Sequence, residues 1–172
     1  LCLAWVQWIK GNYEIAEAQI DQALALNPND LDNYCFKGWL STCAGKLEEG
    51  IWCSSQAVRR APNMPDKCLT SRVMAEYLLG RFDEAIATFG RMSHPPTPLF
   101  GWIAACYANL DREADARAAI MVLRARLKAE QAGPAADNVD AWQAYWSKRF
   151  PAREPETREG LLTGLRKAGL PV

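Results

Sequence analysis

Six cysteines, at positions 2, 35, 43, 53, 68 and 106, and one histidine, His94, are the side chains of this sequence best suited to act as nucleophiles, bases or metal ligands. Thiols at C-x-x-C spacing would hold zinc or cycle as a redox pair, and a thiol beside a histidine would attack a carbonyl. None of the six is so spaced. Cys35 and Cys43 are eight apart on one expected helix, but no histidine or carboxylate stands at ligand spacing, so core packing is the better reading. His94 sits beside Pro95-Pro96 in a loop with no evident partner and is given no role as a base. Neither a G-x-x-x-x-G-K-[ST] phosphate loop nor an H-E-x-x-H metal motif occurs. These residues point away from catalysis, and no cofactor or metal is expected. The thiols read as reduced, small hydrophobes in a cytoplasmic protein.

What must position these side chains is a sequence that repeats. Gly11-Asn-Tyr-Glu-Ile-Ala16 recurs as Gly45-Lys-Leu-Glu-Glu-Gly50, 34 residues on, and again as Gly80-Arg-Phe-Asp-Glu-Ala85. Each copy opens an apolar helical stripe, as Ala16, Ile20 and Ala23 do at i, i+4 and i+7. In the first two copies the stripe stops at Pro28 and Pro62, again 34 apart. The spacing predicts helices over about 2–10 and 13–27, 31–43 and 47–60, 66–79 and 82–92, and 97–109 and 112–130. Asn27-Pro28-Asn29-Asp30 stops one helix and caps the next. The segment from His94 to Pro98 shortens the third unit and is expected to bend the stack. Gly50, a glycine inside a helix, is expected to make the second hairpin the softest. Asp111 takes the turn position held elsewhere by glycine. After about residue 130 the period ends, with a connection around Gly133-Pro134, a capped helix from Asn138 and a last helix over about 155–170.

A period of 34 residues with these contents resembles the tetratricopeptide repeat. Tyr34 and Gly38 match its opening aromatic and close-approach positions, and Ala104 and Tyr107 match the equivalent small and aromatic positions of the fourth copy. Ala16, Ala85 and Ala116 match the small residue where the two helices of a hairpin touch, and Ile20, Phe89 and Ile120 the bulky one a turn later. The second copy departs, with Gly50 and Ser54. The resemblance implies an all-α, right-handed solenoid of four hairpins, over about 1–28, 31–62, 66–95 and 97–130, with a C-terminal helical cap over 131–172. It also implies that the first helix of each hairpin lines a concave groove. That register puts Trp5, Trp8, Ile9, Cys35, Trp39, Thr42, Met74, Tyr77, Trp102, Ala105 and Asn109 on the groove. Chaperone-binding members of the family clamp a peptide carboxylate with Lys, Asn and Arg at these positions. Here they are mostly apolar, so an acidic C-terminal peptide is expected to be a poor ligand. The expected occupants are an apolar peptide or helix of a protein partner, the chain's own C-terminal helix through Trp142, Tyr145, Trp146 and Phe150, or a second copy in a homodimer.

The closing stretch carries a second resemblance. Phe150-Pro151 followed by Gly164-Leu-Arg-Lys-Ala-Gly-Leu-Pro171 is similar to the carboxyl end of bacterial, rhizobial-type class III adenylate cyclases with tetratricopeptide repeats behind the catalytic domain. It implies a regulatory or assembly region rather than an enzyme, since cyclase metal and nucleotide residues belong to a different, α/β domain. Related repeat tails follow winged-helix transcriptional regulators, and a free-standing adaptor is the further alternative. Leu1 falls inside a helical pattern, so the chain is expected to be a piece of a larger polypeptide. Twenty basic residues balance twenty acidic ones, which gives no global attraction to nucleic acid. The five basic residues Arg112, Arg117, Arg124, Arg126 and Lys128 are interleaved with Glu113 and Asp115, as on a solvated helix face. No apolar run approaches the ~20 residues of a membrane span, so no membrane association is expected.

Overall fold

In the computed structural model the described residues are 2–61, 66–131, 133–134 and 138–172. Leu1, Pro62 and part of the 129–138 connection lie outside them. The described residues form ten helices and no strand. These are α1 (Cys2–Ile9), α2 (Tyr13–Leu26), α3 (Leu31–Cys43), α4 (Leu47–Arg60), α5 (Lys67–Leu78), α6 (Phe82–Phe89), α7 (Leu99–Asn109), α8 (Glu113–Ala129), α9 (Val139–Arg149) and α10 (Pro155–Lys167). The fold is all-α, and among the described residues no helix is long and apolar enough to cross a membrane.

Four hairpins, α1/α2, α3/α4, α5/α6 and α7/α8, close in the same way. Gly11, Gly45, Gly80 and Asp111 all adopt positive φ, at 80°, 78°, 74° and 57°. In each turn the amide after that residue donates back to a carbonyl five residues earlier: Asn12 to Gln7, Lys46 to Ser41, Arg81 to Glu76 and Arg112 to Tyr107. This is the Schellman closure, which satisfies the last carbonyls of the first helix while reversing the chain. Asp30 caps α3, its Oδ1 accepting from the amides of Asp32 at 2.9 Å and Asn33 at 3.2 Å, and Asn138 caps α9 through Ala141 at 2.9 Å.

Successive hairpins pack side by side, α3 against α5 and α5 against α7, with each second helix touching the next first helix. Ala16, Ala85 and Ala116 are buried at the crossing points. In the second hairpin a Cβ on Gly50 would overlap Thr42 Oγ1 and stand 3.1 Å from the Gly38 carbonyl oxygen. Close approach of α3 and α4 therefore demands glycine there.

The cysteines require a correction. Cys35 and Cys68 are joined in a disulfide, with Cα atoms 4.6 Å apart, so the reading of six reduced thiols fails. They are 33 residues apart, nearly one repeat, and α3 packing on α5 brings these equivalent positions together. The bond lies in a small apolar cluster with Tyr34 and Ala57. Cys35 and Thr42 also leave the open groove face assigned to them. Thr42 is buried, donating to the Gly38 carbonyl at 2.8 Å.

The chain after α8 returns over the hairpins. α10 packs on α7 and α5. A Cβ at Gly164 would overlap Tyr77 Oη and stand 2.8 Å from Ala105 Cβ, and one at Gly101 would lie 2.6 Å from Trp146 Cζ2. Tyr77 Oη donates to the Gly160 carbonyl at 3.0 Å, and the Trp102 and Phe150 rings meet edge to face at 5.0 Å. Gly169, at φ 87°, ends α10 with the Leu170 amide donating to Leu165, which turns Leu170 and Val172 inward.

Candidate binding site

The first helices of the hairpins carry the aromatic face, because an aromatic or Met at helical spacing recurs on α1, α3, α5 and α7. The structure divides that face in two. On α5 and α7, Met74, Tyr77, Trp102 and Ala105 are buried, and the cap residues Trp142, Tyr145, Trp146 and Phe150 are buried with them. Asn109, half-buried, donates to the Ala105 carbonyl at 2.9 Å. Leu161, Leu162 and Leu165 of α10 supply much of the covering apolar surface. Gly164 lets α10 come close to α5 and α7, against Tyr77 and Ala105, and Gly101 leaves room for the Trp146 ring.

On α1 the face stays open, with the half-buried Trp39 of α3 beside it. Trp5 is 36% exposed and Ile9 56%, and Trp5 stacks into an aromatic group with Trp39 at 4.8 Å and Phe36 at 6.4 Å. Trp8, by contrast, is buried, and its Nε1 donates to the Pro151 carbonyl at 2.9 Å. That bond holds the α9–α10 linker against α1. Arg153 completes the anchor: its amide donates to the Cys43 carbonyl at 2.8 Å, and its guanidinium pairs with Glu14 at 2.8 Å and lies 5.1 Å from the centre of the Tyr13 ring. Between α1 and the anchored linker runs a cleft of about 950 Å3. One wall is Trp5, Trp8, Ile9 and Tyr13; the other carries Lys148, Arg149 and Arg158. Sequence reading placed the aromatic wall but missed the cations. They belong to the cap, and only the return of the chain brings them beside α1; two basic residues ending α9 were the available signal.

The cysteines and the histidine lie outside this cleft. Burial pushes the thiols of Cys53 and Cys106 up to about 12 and Cys43 well above its usual value, so all three stay protonated near neutrality. His94 is exposed, its amide bound to the Asp66 carboxylate. Among the described residues no three of His, Cys, Asp or Glu are gathered to hold a metal ion. On α8, Arg112 pairs with Asp115 at 2.8 Å and Arg117 with Glu113 at 3.5 Å, as charges on a solvated helix do. Comparison with family models, with curated proteins and with solved structures returned no match, so the geometry of this face carries the functional reading.

Proposed function

We propose that the chain is a non-catalytic interaction module of the tetratricopeptide type, a solenoid that offers the face of its first helices to a helix or peptide of a protein partner. One observation carries this reading: α10, an amphipathic helix, is seated on α5 and α7 through Leu161, Leu162, Leu165 and the close approach at Gly164. A face that accepts a helix from its own chain has the shape and apolarity for the helix-in-groove mode. The four identical turn closures and the contacts of α3 with α5 and α5 with α7 support the solenoid part of the reading.

The narrower reading makes this module the C-terminal regulatory or assembly region of a class III adenylate cyclase, acting on a catalytic domain elsewhere in the parent chain. It rests on the Phe150-Pro151 element and the 164–171 stretch. In this fold both dock the tail: Phe150 packs on Trp102, Pro151 binds Trp8, Gly164 admits Tyr77 and Gly169 turns the end inward. A parent gene without a cyclase domain would retire the narrower reading and leave the module reading standing. A winged helix there would select the transcriptional-regulator alternative.

The test wedges the tail away with Gly164→Leu, which lies in the tail and leaves the α5–α7 face itself unaltered. The variant is expected to stay helical by circular dichroism, to bind a hydrophobic dye, and to bind a synthetic peptide of residues 153–172 added in trans. A helical variant that takes up neither dye nor peptide would refute the binding face.

A further inference from the structure

We infer that the cleft between α1 and the α9–α10 linker is a docking site for an acidic peptide segment with an aromatic or large aliphatic anchor. This rests on the interaction-module reading above and names the site and the chemistry of its ligand.

The cleft joins an apolar wall to a cationic one. Its apolar wall presents Ile9, more than half exposed, and Trp5, about one-third exposed, and continues onto Trp39. Large exposed apolar patches on a folded chain mark sites of association. The opposite wall gathers Lys148, Arg149 and Arg158, and no carboxylate is among the described residues lining the cleft. None of these three cations is ion-paired among the described residues, whereas the neighbouring Arg153 is matched with Glu14 and Glu154. In a chain whose twenty basic and twenty acidic residues balance, this is local segregation of charge. Lys148 and Arg149 also complement the α9 C-terminal dipole, and Arg149 lies over the Tyr145 ring at 4.9 Å. Arg158 is in the first turns of α10, where a cation is unfavourable to the dipole, so its placement calls for a different reason.

The floor is stiff. The Trp8–Pro151 bond and the Arg153 contacts hold the linker, so the two walls are pre-formed rather than assembled on binding. A volume of about 950 Å3 is large for a single headgroup or phosphate and suits several residues of a peptide. A nucleic acid strand needs a cationic track spanning several nucleotides, and three charges at one spot are not a track. A clamp built from the repeat positions would be apolar here; these cations come from the cap instead, which is why the sequence alone argued against acidic ligands.

The experiment pans a random dodecapeptide phage library on the full chain and measures the enriched peptides by fluorescence anisotropy. Lys148→Glu combined with Arg158→Glu serves as the charge variant; Arg149 is left in place because it packs on Tyr145. Labelled dT12 and phosphatidylserine vesicles are titrated alongside. The expected result is enrichment of peptides with two or more acids around a Trp, Phe or Leu, and binding weakened roughly tenfold or more by the charge variant at unchanged thermal midpoint. Ile9→Asp is expected to weaken it comparably, and replacing the peptide acids by amides should do the same. Failure to enrich any peptide, enrichment indifferent to the charge variant, or binding of dT12 or vesicles in place of peptides would each overturn the proposal. Peptides without acids that compete with the 153–172 peptide would overturn this site while leaving the module reading intact.

Discussion

The Cys35–Cys68 bond offers the sharpest quantitative test of the fold. It ties α3 to α5 across 33 residues of chain, so it restricts the unfolded ensemble over the whole second hairpin. Loop-closure entropy for a ring of that size is about 12.5 cal/mol/K, or about 3.7 kcal/mol at 25 °C. For a chain of this length each kcal/mol moves the thermal midpoint by roughly 2–4 °C, so reduction is expected to lower it by about 7–15 °C. The assay is differential scanning calorimetry of the protein with and without dithiothreitol. The double variant Cys35→Ala, Cys68→Ala should melt near the reduced protein and ignore reductant. Thiol titration supplies an independent reading. In denaturant without reductant four thiols should react, those of Cys2, Cys43, Cys53 and Cys106. Six reactive thiols before reduction, or a midpoint that reductant leaves in place, would refute the pairing.

Docking of the tail should respond to a single methyl group. Gly164→Ala gains about 1 kcal/mol in helix propensity but forces a Cβ into Tyr77 Oη, and overpacking costs about 1–3 kcal/mol; net destabilisation in urea is expected, partly relieved by adding Tyr77→Phe, and simple additivity would refute the contact. Burial pushes the Tyr77 hydroxyl up to about 12 against an ordinary value near 10, so its neutral form is favoured in the fold. That stability is intact below about pH 10 and is lost as pH rises toward 12, by on the order of 2–3 kcal/mol; alkaline unfolding followed by tryptophan fluorescence should be shallower in Tyr77→Phe. Asp111 holds a left-handed turn at φ 57° and pairs with Lys167 at 3.1 Å only at the surface, so Asp111→Gly should stabilise by about 0.5 kcal/mol in urea melts. Asp30→Ala should cost about 1 kcal/mol by removing the α3 cap, read by the same melts.

Much of the architecture was legible because its causes are local. Three glycines and an aspartate at repeat spacing mark chain reversals, since few residues enter the left-handed region cheaply, and all four have positive φ. Helix limits fell within about three residues of expectation, α6 ending early where the chain reaches Gly90. The steric need for Gly50 was not legible because propensity belongs to one helix while its partner, Thr42, belongs to another.

The sequence by itself determined the helices, their hairpin pairing and the recurrence of aromatic residues on the first helix of each pair, all consequences of dihedral preference and 3.6-residue periodicity. Tertiary structure alone decided three things: that Cys35 meets Cys68, that α10 covers Met74, Tyr77 and Trp102 while Trp5 and Ile9 stay open, and that Lys148 and Arg158 face the aromatic wall of α1. Each depends on residues 30 to 150 positions apart, where composition and spacing have no hold. What selects among the possible long-range contacts is the shape of packed surfaces, here the gaps at Gly101 and Gly164 into which Trp146 and Tyr77 fit.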